Sequence, residues 1–174
     1  FLSNIDDRQI ARPMMQEIAE RSQVSTSLAI RERLTLVYVE TVRSSASIAL
    51  QLGIGSRLPL ATTATGRAYL AGSPQREREI LTTQLKKQDP ENWPAISSGI
   101  EQALKDYKER GFCMSFKEWN KDVSGVGVPF HAPDGTLMAF NCAGPAFLLQ
   151  RKKLIDEVGP GLVALVGRLG KAMG

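Results

Sequence analysis

The stretch LPLATTATGRAYLAG, from Leu58 to Gly72, sets three threonines and two glycines around a single arginine. Hydroxyls and small residues at the start of a helix are a means of holding anions, so this segment is the first place to look for chemistry. A nucleotide-phosphate loop needs G-x-x-x-x-G-K-[ST], because its lysine reaches the phosphates and its hydroxyl reaches magnesium. Ala61, Arg67 and Ala68 stand at the first-glycine, lysine and hydroxyl positions, which excludes that loop. What remains is a helix start lined by Thr62, Thr63 and Thr65. Its unpaired N–H groups and positive dipole end could receive a carboxylate, or its own threonines could simply cap it.

Other reactive types are few. The sequence has one histidine, His131, and two cysteines, Cys113 and Cys142. A thiol or ester hydrolase would need one of those cysteines within hydrogen-bond reach of His131. The alternative is two small buried cysteines and a solvated turn histidine. No H-x-x-x-H, C-x-x-C or carboxylate cluster offers a metal site, and no cofactor motif appears, so neither is expected. Two polar residues stand out in apolar surroundings. Asn141 lies inside LMAFNCAGP, and burying its amide unpaired would cost about 1–3 kcal/mol. Ser115 is two residues beyond Cys113 and shares its face if the strand persists. A threonine-lined helix start, a serine and an amide are the sort of sparse polar groups found in an otherwise apolar ligand pocket.

The elements that must position these groups follow from periodicity. Asp6 or Asp7 is placed to cap a helix to about Arg21, with Ile10, Met14 and Ile18 as its buried stripe and a kink or second start at Pro13. Two strands are expected near 25–31 and 34–42, with both faces covered, and a third extended segment over 46–52. Thr62 or Thr63 caps a short helix closed by Gly72. A second helix starts with Ser73 as cap and Pro74 at its first position. A third presents Ile96, Ile100, Ala103 and Tyr107 and ends at Gly111. Three strands (112–116, 123–131, 136–143) follow, the last two joined at Pro133-Asp134-Gly135. A final helix from Leu148 to Met173 is broken at Gly159-Pro160-Gly161. Hairpins dominate, so the expected fold is α+β, with a mainly antiparallel sheet of about six strands flanked by helices.

At 174 residues, 43% hydrophobic, 23% charged and a net charge of +4, the chain reads as one globular domain over 1–174. Its basic residues are scattered among acids and no aromatic residues alternate with a basic cluster, which argues against direct contact with DNA. Two cysteines suit a reducing cytoplasm. No apolar run is long enough to span a membrane, so a cytoplasmic protein without membrane contact is expected.

Several ordered blocks together resemble the effector-binding domain of the IclR family of bacterial transcriptional regulators. They are GIGSRLPLATTATGRAYLAG, the G-x-x-x-S-x-x-E run from Gly111 to Glu118, the small-residue strand after it, the turn Ala143-Gly144-Pro145, and LIDEVGPGLVALVGRLGKAMG. The resemblance covers nearly the whole chain. It implies a fold similar to GAF and PAS sensors, and a small-molecule effector, often a carboxylic or aromatic acid, held against a curved sheet. It also implies assembly as a homodimer or homotetramer, with DNA contact only through an N-terminal winged helix-turn-helix domain that is not found in these residues. Carried over by position, the pocket falls on Leu58, Ala64, Thr65, Ser115, Gly125, Asn141 and Ala143, with no catalytic or metal-binding residue. Ser115 stands where some members have aspartate, and Asn141 and Ala143 where some have serine, which implies a bulkier or differently polar effector. Backbone N–H groups over Ala64–Gly66 would meet its carboxylate, and Arg67 is expected at the surface.

Overall fold

The computed structural model describes residues 5–45 and 52–174. In chain order the elements are α1 (Ile5–Ser22), β1 (Ser25–Glu32), β2 (Thr35–Val42), β3 (Arg57–Pro59), α2 (Ala64–Gly72), α3 (Gln75–Gln88) and α4 (Trp93–Arg110). After these come β4 (Cys113–Phe116), β5 (Val123–His131), β6 (Leu137–Pro145), α5 (Arg151–Lys153), a π-helical turn (Leu154–Val158) and α6 (Gly159–Met173). Among the described residues, six strands form one sheet in the order β3-β2-β1-β6-β5-β4, and every neighbouring pair is antiparallel. This is the α+β architecture expected from the hairpin-rich order.

Alternation along each strand sends side chains to two unlike faces. Leu28, Val126, Val128, Phe130, Met138, Phe140 and Cys142 point to one side, where they join Met15, Ile18, Leu162 and Leu165 of α1 and α6 in a bulky core. The opposite face carries Ala29, Leu36, Tyr38, Cys113 and Ala139 beneath α2 and α4. Tyr38 shares that face with Leu36 by simple alternation, and a bulge in β2 just beyond it sends Glu40 and Val42 to the other. Leu28 pairs with Glu40 while Ala29 pairs with Tyr38, so Val39 is the extra residue. A bulge re-aims the residues beyond it. Tyr38 lies under α2, while Glu40 pairs with Arg12 of α1 on the other face.

The structure moves several boundaries. Asp6 and Asp7 lie inside α1 rather than capping it, and α1 passes through Pro13 as a single helix. The extended segment expected over 46–52 falls, apart from Leu52, outside the described residues; the third strand of the sheet is Arg57–Pro59. Thr63 is the cap of α2, accepting from Gly66 N at 3.0 Å and donating to Pro59 O at 2.7 Å. Gly72 is the last helical residue of α2, and Ser73 caps its C-terminus. A Cβ on Gly72 would come within 2.4 Å of Pro129 Cβ, so a close crossing of β5 requires glycine there. Pro74, not Ser73, is the N-cap of α3. Gly111 closes α4 with φ 88° as expected. The last helix runs on through Gly159-Pro160-Gly161. Pro160 has no N–H for the carbonyl four residues back, and the preceding turn widens, with Gly159 N donating to Leu154 O.

Candidate functional site

All seven residues assigned to a pocket by position line one cavity: Leu58, Ala64, Thr65, Ser115, Gly125, Asn141 and Ala143. Antiparallel register explains how residues so far apart in sequence meet. Ser115 sits opposite Gly125, and Gly125 opposite Ala143, in a single row across β4, β5 and β6. Asn141 lies one step along β6 on the same face, opposite Gly127. The N-terminal turn of α2 caps that row. It approaches very closely, since a Cβ on Gly127 would stand 2.4 Å from Ala64 O.

Gly125 has a packing reason of its own: a Cβ there would meet Cys142 O at 2.7 Å. Leu52, Thr63, Trp119, Val123 and Ser124 complete the lining. No charged side chain is among the described lining residues. The cavity volume is about 20 Å³, room for roughly one water molecule.

Polar groups in this wall are unevenly satisfied. Asn141, 2% exposed, donates through Nδ2 to the Tyr38 hydroxyl at 2.7 Å and to Thr65 Oγ1. Its Oδ1 is buried without any partner among the described residues. Burial pushes the Tyr38 phenol above its ordinary range, so it remains a neutral hydrogen-bonding group. Ser115 Oγ donates to Thr62 O at 2.6 Å, which ties β4 to the turn before α2. At the helix start, Gly66 N is taken by the Thr63 hydroxyl and Arg67 N by Thr63 O. Of the N–H groups expected to be free over Ala64–Gly66, Gly66 is thus excluded and those of Ala64 and Thr65 remain.

Arg67 corrects the sequence reading outright. It is 4% exposed, not a surface residue. Its guanidinium donates to Ala61 O and Met114 O, both at 3.1 Å, and pairs with Glu118. Gly99 of α4 makes the room, since a Cβ there would stand 2.2 Å from Arg67 Nη2. The available signal was that Arg67 is the sole charge in the helix ATGRAYLAG, whose other residues are uncharged and mostly small or apolar. Tyr38 was also missed as the partner of Asn141: alternation sets it beside Leu36, but its meeting with a residue 103 positions away depends on the strand order β2-β1-β6.

The cysteine–histidine alternative is not assembled. Cys142 lies on the bulky face against Thr26 Oγ1 at 3.4 Å, and Cys113 Sγ donates to Ala103 O at 3.4 Å. His131 Nε2 instead contacts Gly72 O at 3.0 Å. Cys142 pairs with Val126, five residues from His131 on β5, about 17 Å along the strand. Burial pushes both thiols up to about 12, the opposite of what a nucleophile needs. No group of three or more His, Cys, Asp or Glu residues suited to a metal ion occurs among the described residues.

Residues 1–166 match the family described as bacterial transcriptional regulator IclR, C-terminal. The chain belongs to the IclR family. As a C-terminal IclR domain, it is 32% identical over 91% of its length to the HTH-type transcriptional regulator TsaQ1/TsaQ2 of Comamonas testosteroni, and spans 58% of that relative. The crystal structure of an IclR family transcriptional regulator from Brucella abortus superposes on it with a TM-score of 0.95 at 39% identity. That match covers 99% of this chain and 66% of the other. The Thermotoga maritima IclR structure shares the fold, with a TM-score of 0.81 at 21% identity over 99% of this chain and 70% of that one. These relatives are transcriptional regulators, and no helix among the described residues of this IclR domain is long and apolar enough to cross a membrane.

Proposed function

We propose that this IclR domain is a sensor whose cavity at the start of α2 binds a small organic monocarboxylic acid. The observation that carries the reading is the buried, unpartnered Oδ1 of Asn141 in the cavity wall. An amide oxygen left without a donor costs about 1–3 kcal/mol, a cost that ligand sites tolerate because the ligand supplies the partner. Opposite it, the N–H groups of Ala64 and Thr65 at the positive end of α2 suit one carboxylate. The absence of any cation in the lining disfavours a second negative charge, and Oδ1 favours an acid that also carries a hydroxyl or other hydrogen-bond donor. Ser115 and Tyr38 act by orienting the turn before α2 and the Asn141 amide.

Binding regulates only if the ligand's affinity differs between two arrangements of the protein. The fitting arrangement is a homodimer or homotetramer, in keeping with the closed symmetry usual for oligomers. DNA contact would belong to a helix-turn-helix unit of the kind for which the relatives are named. Titration calorimetry with paired acids, such as lactate against propionate and salicylate against benzoate, tests the pocket. The hydroxy acid is expected to bind more tightly, and Asn141→Ala to abolish that preference. Equal affinity of Asn141→Ala and the parent for any acid that binds would refute the assignment.

A further inference from the structure

A cavity of about 20 Å³ is far smaller than the several hundred Å³ typical of ligand sites. Some part of the lining must therefore move for the site to be used. The sheet floor and α2 are poor candidates. Gly127 lets the α2 backbone rest directly on β5, and a Cβ on Gly66 would fall 2.1 Å from Leu60 O. Neither contact leaves slack. The loop between β4 and β5, residues 117–122, is built differently. Its hydrogen bonds largely close on its own ends: Lys117 N to Val123 O at 3.1 Å, Val123 N to Asn120 O at 3.0 Å and Asp122 N to Asn120 Oδ1 at 2.9 Å.

Among the described residues, two hydrogen-bonded contacts tie this loop to the rest of the protein. One is a backbone bond from Ala146 N to Asp122 O at 2.8 Å, at the β5 end. The other is the ion pair between Glu118 and Arg67. The very next residue, Trp119, is half-buried and forms part of the cavity wall. Lys117, at the β4 end, holds φ +62°, a conformation disfavoured for a side chain of its kind and found where local strain is retained. Arg67 is fixed on three sides, by Ala61 O, Met114 O and the notch at Gly99, whereas the Glu118 side chain is 41% exposed. One partner of the pair is anchored and the other is free to leave into water.

We propose that Arg67 and Glu118 form a latch that holds Trp119 against the cavity, and that residues 117–122 swing on Lys117 as a flap to admit the effector. This rests on the sensor reading for its purpose, but the motion is measurable without a ligand. In a Trp93→Phe background Trp119 is the one remaining tryptophan. Acrylamide quenching of its fluorescence is expected to rise at least about twofold in Glu118→Gln, with a red-shifted emission and a thermal transition within a few degrees of the parent. Unchanged quenching in the folded variant overturns the latch.

Hydrogen exchange on the unsubstituted chain gives a second reading that needs no variant to fold. The amides of Lys117, Asp122 and Val123 are expected to exchange at least about tenfold faster than those of Val126 and Val128. Exchange of both groups together, only on global unfolding, overturns the flap. If quenching rises but no acid binds, the latch stands and the sensor reading falls. If acids associate at the same rate with the parent and Glu118→Gln, the latch falls and the sensor reading stands.

Discussion

The two faces of the sheet are made by the same strands and do opposite jobs. Along β6, Met138, Phe140 and Cys142 point into the core under α1 and α6, while Ala139, Asn141 and Ala143 point toward α2. The first set fills space with bulky apolar groups, including an edge-to-face contact between Phe130 and Phe140 with centroids 5.5 Å apart. The second set is small or polar and lets a helix backbone approach. Met138 to Cys142 are buried whichever way they point, and Ala143 is partly exposed. What differs is shape and hydrogen-bonding capacity: bulky apolar packing lies on one face, and small residues with the Asn141 amide on the other.

The largest expected effect lies on the bulky face. Phe140→Ala should lower the unfolding free energy by about 3–5 kcal/mol, read from urea unfolding; a loss below about 1 kcal/mol would mean that this face is not the stabilising one. Next is Gly127→Ala on the α2 face. Its Cβ would collide with backbone rather than a flexible side chain, which should cost about 1–3 kcal/mol by overpacking, and should also widen or close the cavity as seen by any change in acid binding. A cost near zero would show that α2 rides loosely on β5.

The two thiols compare the faces directly, one on each. Both are raised to about 12 by burial, above the value near 9 of the unfolded chain. The unfolded state therefore loses its thiol protons first, and stability present below pH 9 falls as pH rises toward 12. Between pH 8 and pH 10 the fall should be about 1.4 kcal/mol per thiol. Cys113→Ala and Cys142→Ala should each reduce the fall by about 1.4 kcal/mol in unfolding followed against pH; unequal reductions would show unequal burial. The smallest change in stability is expected for Asn141→Leu. It removes the unpartnered oxygen but also the amide's bonds to Tyr38 and Thr65, so the net should lie within about 1 kcal/mol of zero, while acid binding is lost. A loss of several kcal/mol would make Asn141 a core residue rather than a ligand residue.

Much of this was legible in residue order. The hairpin at Pro133-Asp134-Gly135, the α4 stop at Gly111 and the alternation of β5 and β6 depend on local backbone preferences that a few neighbouring residues express. The seven pocket positions were placed by resemblance rather than by spacing, and the register of β4, β5 and β6 explains why they converge. Arg67 was misplaced because its charge suggested water, whereas its partners Met114 and Glu118 are 47 and 51 residues away in sequence. Likewise the alternation in TLVYVETV sets Tyr38 beside Leu36 but does not reveal that Val39 bulges and turns Glu40 and Val42 to the opposite face.

The sequence alone determined the α+β element order, excluded a nucleotide loop at Leu58–Gly72, and marked Asn141 as a polar residue requiring explanation, because these rest on local chemistry. Only the tertiary structure decided that Asn141 keeps an oxygen without a partner among the described residues, that both cysteines are buried away from His131, and that Arg67 is a buried anchor for Glu118. Each of those depends on which distant groups share one dry interior, and hydrogen-bond satisfaction and desolvation exist only once the chain has brought them together.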